Sequence, residues 1–228
     1  MKKNLLLAMF AVLFLAGVSY ADDFKLYSSG YENGSNVSVV LPNGPADTVA
    51  AYFKMNFSGV DYMGYCVDYA AVNWYPPSSY LNYTMIPLPD PLPDPDNAIR
   101  YKQAAWLFDT YGQSSSYWGV NVQLAIWEIM FDPNPQTVKS ADPNKGVFYV
   151  TSAGSADLNT VDTYVGWALN HSNFDASSYR LLVSPNSGEY YGVDQQDFII
   201  KTPEPGMLAL LGIGLLGLVL ATRRKARS

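Results

Sequence analysis

Two uncharged apolar runs, one near each end of the chain, decide how much of it is left to fold in water. Leu5 to Val18 carries no charge, follows Lys2 and Lys3, and precedes Ser19-Tyr20-Ala21. Basic start, apolar middle and small-residue exit are the three parts of a secretory signal, so residues 1–21 are expected to be removed. The run is short for a membrane helix, and Asp22 and Asp23 follow at once. Gly206 to Thr222 is the second run. As a helix its 17 residues rise about 25 Å, enough to cross a thin hydrocarbon layer. Arg223, Arg224 and Lys225 lie behind it, and basic residues stay on the cytoplasmic side, so the body is expected outside.

Residues 22–201 remain as the extracytoplasmic body, enough for one domain with its own core. The charge of the whole chain, −6, conceals a more acidic body: Asp22 to Thr202 holds 19 acidic and 8 basic residues. An acidic surface argues against nucleic acid and anionic lipid as partners. The chain has one cysteine, Cys66, and one histidine, His171. An internal disulfide and a Cys/His zinc cluster are both excluded by that count, and no metal or other cofactor is expected. A free thiol outside the cytoplasm is a liability, so Cys66 calls for an explanation.

Along the body, Phe24 to Leu41, Val49 to Phe57 and Tyr62 to Val72 read as strands of an antiparallel sheet, with a turn at Pro42-Asn43-Gly44-Pro45. Ala51, Phe53, Met55 and Phe57 share one face of the second. Asn73 to Asp96 reads as loop, because its prolines exclude helix and interior strand. Asn97 is placed to cap a helix over 98–110 with Ala104, Ala105, Leu107 and Phe108 inward. A second helix is expected from Trp118 to Phe131, stopped by Asp132-Pro133, and a third over 157–170 with Leu158, Val161, Val165 and Leu169 on one face. Tyr179 to Val183 and Tyr190 to Ile200 read as closing strands. The fold class is α+β: an antiparallel sheet or sandwich with an inserted helical subdomain.

Just ahead of the second apolar run stands Pro203-Glu204-Pro205. That tripeptide, the Leu/Gly-rich span and Arg223-Arg224-Lys225, in that order, resemble the PEP-CTERM sorting signal, over residues 202–228. The resemblance implies membrane association, recognition by an exosortase, and delivery to the cell envelope, cell surface or extracellular matrix of a Gram-negative bacterium that makes exopolysaccharide.

Within the body two segments stand out: Tyr65-Cys66-Val67-Asp68-Tyr69 and Val122-Gln123-Leu124-Ala125-Ile126-Trp127-Glu128. Gln123 lies in a helix that is apolar nearly all round, and a buried amide costs free energy unless it is hydrogen-bonded or converted. The pair of segments resembles the thioester domains of bacterial surface adhesins, with Val122 departing from the Thr common there. The resemblance implies that Cys66 supplies the thiol and Gln123 the acyl group of an internal thioester. Tyr65, Tyr69 and Trp127 would shield the bond and Asp68 would orient the amide. The acyl group would pass once to an amine or hydroxyl on a surface protein or polysaccharide, which is attachment and not enzymatic turnover. The same residues have a second reading, with Cys66 a small buried hydrophobe and Gln123 bonded to backbone at a sheet–helix junction.

Two further function classes stay open at this stage. One is a structural protein of the exopolysaccharide layer. The other is a secreted carbohydrate-binding or hydrolytic domain, for which the aromatics between Trp74 and Tyr83 are the feature to test. Weaker still are a Cys66/His171 hydrolase and a calcium loop built on Asp90, Asp94, Asp96 and Asn97, whose prolines break the usual spacing.

Overall fold

The computed structural model describes residues 24–25, 31–42, 44–57, 60–68, 83–88, 95–112, 118–139, 147–183 and 196–202. The expected signal segment (residues 1–21), the expected membrane span (206–222), Tyr69, Asp90, Asp94, Pro203-Glu204-Pro205 and Arg223-Arg224-Lys225 lie outside the described residues.

Among the described residues, eight strands and three helices follow in the order β1 (Phe24–Lys25), β2 (Tyr31–Leu41), β3 (Gly44–Phe57), β4 (Val60–Cys66), β5 (Thr84–Pro87), α1 (Pro95–Tyr111), α2 (Trp118–Phe131), β6 (Tyr149–Ser152), α3 (Leu158–Ala168), β7 (Tyr179–Val183) and β8 (Phe198–Lys201). The strands form one sheet in the order β5-β7-β8-β4-β3-β2-β6, with β1 paired to β3. Every pairing is antiparallel. The α+β expectation holds, and the sandwich alternative gives way to this single sheet. The helices form no separate subdomain, because α2 packs directly on β2, β3 and β4 while α1 and α3 flank it.

Local chemistry accounts for most boundaries. Leu41 pairs with Gly44, so the β2–β3 turn is as short as a hairpin allows, and Gly44 takes φ 124°, which a side chain resists. On β3, Ala51, Phe53 and Met55 are buried as the alternation predicts. Ala104, Ala105, Leu107 and Phe108 of α1 are all buried. Residues 119–129 of α2 are buried on every side, which fits a helix without a polar face. Asp157 caps α3, accepting hydrogen bonds from Asn159 N (3.0 Å) and Thr160 Oγ1 (2.7 Å).

Several expectations are corrected. The proline-rich stretch taken as loop contains β5, tolerated because β5 is an edge strand. Helix α1 begins at Pro95, so Asn97 lies inside its first turn and does not cap it; a proline suits that start because the first N–H groups lack helical partners anyway. The buried face of α3 is Val161, Tyr164, Val165 and Ala168, while Leu169 is exposed. The strand expected over 62–72 ends at Cys66, and that expected over 190–200 is described only from Phe198. Strand β6 went unpredicted. Tyr83, expected among exposed aromatics, is buried and donates to Gln196 O at 2.9 Å.

Candidate functional site

The site forms where strand pairing stops. The β3–β4 ladder runs from Phe57–Val60 to Phe53–Gly64 and goes no further. On its other side β4 continues along β8, with Cys66 opposite Phe198, and Val67 N donates to Asp197 O at 3.0 Å. Along an antiparallel strand the backbone groups of successive residues point to alternate neighbours. Val67 is turned toward β8, so Cys66 is turned toward the vacated β3 side, two residues beyond the last β3 pair. There its N–H and C=O need partners from elsewhere.

Gln123 supplies both. Cys66 N donates to Gln123 Oε1 at 3.0 Å, and Gln123 Nε2 donates to Cys66 O at 2.8 Å. A primary amide has the donor–acceptor pattern of a peptide, so one side chain of α2 takes the place a β3 peptide would hold if the β3–β4 ladder continued. Cys66 and Gln123 are both fully buried and lie 57 residues apart in sequence. The two residues singled out from the sequence are therefore brought together in a dry site. Two residues before Cys66, Gly64 lets β4 lie close between β3 and β8: a Cβ there would meet Met55 Cε and come within 2.6 Å of Ile199 O.

Around the sulfur, Cys66 Sγ donates to Asp68 O at 3.2 Å and lies 3.9 Å from Asp68 Oδ1. Burial pushes the thiol pKa well up, and the charges of Asp68 and, more weakly, Asp197 add to the rise. The thiol is thus held protonated in the resting site. Trp127, one turn beyond Gln123 on α2, is buried; its indole N–H lies near enough to the sulfur to favour the thiolate, yet falls outside hydrogen-bonding geometry and has no other partner among the described residues. Tyr65 packs its ring against Tyr52 (centroids 5.0 Å apart) and Phe108 (5.2 Å), and its hydroxyl reaches Gly112 O at 3.4 Å.

Residues to which the sequence reading gave no role at Cys66 complete the surroundings. Asp197, just before β8, and Tyr83, just before β5, lie close enough to Cys66 to act on it electrostatically. The Tyr83 phenol is pushed up by burial and by the charges of Asp197 and Asp68. Asp197 stands immediately before the apolar Phe198-Ile199-Ile200 run, which was a strand signal; only the β4–β8 pairing brings it to Cys66. Two carboxyls, Glu128 on α2 and Asp132 just beyond it, are also fully buried, which the sequence reading did not expect. Asp132 accepts from Asn134 N and Val147 N, each at 2.8 Å. Glu128 accepts from Gln136 N at 2.8 Å through Oε1. His171 stacks on Trp106 at 3.9 Å and places Nδ1 2.8 Å from Trp167 O, contacts that join α1 to α3 and do not involve Cys66. Among the described residues no group of three or more His, Cys, Asp and Glu side chains is arranged to hold a metal, and no helix is long and apolar enough to cross a membrane.

At the far end of the body, β8 ends at Lys201, and Thr202 is tied to Ser178 O through its N (2.9 Å) and Oγ1 (3.1 Å). Residues 201–225 match the family model of the PEP-CTERM protein-sorting motif. The chain carries an exosortase sorting signal. It is an exported protein, processed at the membrane by exosortase and sent to the cell surface or the extracellular space. The motif thus starts on the last residue of a strand flanked by β7, with no intervening linker. No curated protein and no solved structure matches the chain, so its body is assigned to no family by likeness, the thioester adhesins included.

Proposed function

We propose that the body of this exported protein is a single-use covalent attachment module that joins Cys66 Sγ to Gln123 Cδ as an internal thioester. The observation that carries the reading is the Gln123 side chain lying across the Cys66 peptide, in a fully buried site assembled from segments 57 residues apart. The chemistry balances without an added reagent. Sulfur attacks the amide carbon, the S–C bond forms, the C–N bond breaks, and the thiol proton leaves with the amide nitrogen as ammonia. Cys66 N–H, already on Oε1, would stabilise the charge that develops on that oxygen. Asp68, next to the sulfur, is positioned to relay the thiol proton. Burial excludes the water that would hydrolyse the product.

At the cell surface an amine or hydroxyl of a protein or polysaccharide would take the acyl group and leave the protein covalently attached. One acyl group serves one event, so the module is not an enzyme.

A specific observation favours a second reading. Both polar atoms of the Gln123 amide are already satisfied by Cys66, which is what a structural clamp between α2 and a frayed strand requires. In that case the body is a structural component of the surface or exopolysaccharide layer.

Intact mass of the freshly purified protein separates the two. A chain one ammonia lighter than its sequence, without a titratable thiol and regaining one on treatment with methylamine, supports the thioester. A full mass with one free thiol refutes it and leaves the clamp.

A further inference from the structure

The Trp127 indole N–H is the one side-chain donor among the described residues that sits at the Cys66 sulfur without completing a hydrogen bond. Trp127 is 3% exposed, so water does not reach the N–H in compensation. A buried, unpartnered donor in a folded protein is costly and calls for a reason. Packing alone explains the ring: Trp127 lies against Phe148 and Phe131, with centroids 6.4 Å and 6.5 Å away. It does not explain why the nitrogen edge faces sulfur, since a Phe at this position would fill the same core without an orphaned polar atom.

The sulfur changes state during the proposed reaction, and its need for a donor changes too. In the resting thiol, Sγ is itself a donor, to Asp68 O, and gains little from a second N–H. When a nucleophile attacks the thioester, the new bond forms at Gln123 Cδ, the S–C bond breaks, and sulfur departs with the electron pair. The nucleophile's proton must then reach the sulfur by way of a carboxylate such as Asp68. Until it does, a full negative charge stands in a dry site beside Asp68 and near Asp197, which repel it. A fixed N–H aimed at that atom offsets the repulsion without reorganisation, as an oxyanion hole does for oxygen.

We infer that Trp127 is the leaving-group donor of this site, holding its indole N–H in reserve for the Cys66 thiolate released when the thioester opens. This rests on the thioester reading. It extends that reading by giving Trp127 a role in rate as well as in excluding water. Gln123 and Trp127, one helical turn apart on α2, then act on opposite sides of the breaking bond.

The test compares the full chain with Trp127→Phe, which keeps an aromatic filler and removes the N–H. Intact mass first shows whether each forms the thioester. Opening by methylamine is then timed across pH, and alkylation of the released thiol is followed against pH. The expected result is a variant that still loses ammonia but opens about tenfold more slowly, with its thiol ionising at higher pH, as loss of a hydrogen bond to a charged group predicts. Equal opening rates and equal thiol profiles overturn the inference while leaving the thioester intact. A full mass in the unsubstituted chain overturns the thioester reading and, with it, the leaving-group role.

A second measurement does not depend on the variant folding. With tryptophan indole nitrogens labelled in the unsubstituted chain opened by methylamine, one N–H resonance should shift as the Cys66 thiol ionises, and that shift should vanish in Cys66→Ala. No titrating indole resonance overturns the inference.

Discussion

Replacing Gln123 with alanine tests the geometry of the site most directly. The substitution removes two hydrogen bonds and leaves Cys66 N–H and C=O without partners at a residue with no exposed surface. A buried polar group left unsatisfied costs about 1–3 kcal/mol, so the pair costs about 4 kcal/mol. Loss of the buried side-chain stem adds about 1 kcal/mol. A domain of this kind is stable by about 5–15 kcal/mol, so the variant should lie near the edge of folding. The measurement is urea unfolding followed by tryptophan fluorescence, with the shift in midpoint read at constant slope.

Cys66→Ala is the control that exposes the covalent bond. Its backbone keeps both contacts to Gln123. Without a crosslink it should cost about 1 kcal/mol, as for a small core truncation. A thioester closing a loop of 57 residues restrains the unfolded chain by about 4 kcal/mol in the chain-entropy description used for disulfides, and Cys66→Ala would lose all of it. A loss of about 5 kcal/mol for Cys66→Ala therefore points to a crosslinked protein, and a loss of about 1 kcal/mol points to a clamp. A Gln123→Ala variant as stable as the parent would refute the account of Gln123 as the substitute for β3.

Three further outcomes follow from the same structure. Glu128 is buried and its Oε2 has no hydrogen-bond partner among the described residues; burial first, then the charges of Asp132 and Asp162, raise its pKa from 4.5 to about 7. The folded chain therefore holds a proton that the unfolded chain releases. Stability contributed by that proton is complete below the ordinary Glu range and is lost as pH rises toward 7. Glu128→Gln, which keeps an acceptor for Gln136 N–H, should match the parent near pH 4 and exceed it by up to roughly 3 kcal/mol near pH 8 in urea midpoints. Gly64→Ala should cost about 3 kcal/mol and disturb the Cys66 site, since its Cβ would press on Met55 and on the Ile199 carbonyl; a near-neutral thermal shift would contradict the close approach of β3, β4 and β8. Arg100 donates to the carbonyls of Ile129 (2.8 Å), Met130 (3.0 Å) and Asp132 (2.7 Å) at the end of α2, so Arg100→Met should cost about 2 kcal/mol and speed amide exchange in the last turn of α2.

Much of this protein was legible in its sequence because the relevant signals are local. The sorting motif is read from three residues, an apolar run and a basic end, none of which needs a fold to be recognised. Helix α2 was legible with its bounds because its apolar residues are continuous and Asp132-Pro133 stops it. Gln123 stood out because a lone amide in such a helix must find a partner, and Cys66 because an exported chain has little use for one thiol. What the sequence withheld depends on pairing between distant segments. Strand β5 was hidden by prolines that an edge strand tolerates, and its edge position follows from the order of the whole sheet. The face of α3 was misjudged at Leu169 because the helix ends there and the chain turns away from the core. The end of the β3–β4 ladder at Gly64 has no sequence mark, yet it leaves the Cys66 peptide open to Gln123. Composition and periodicity determined which residues had to be buried; the tertiary structure alone decided which buried groups meet, because hydrogen-bond partners 57 residues apart are chosen by where the strands part.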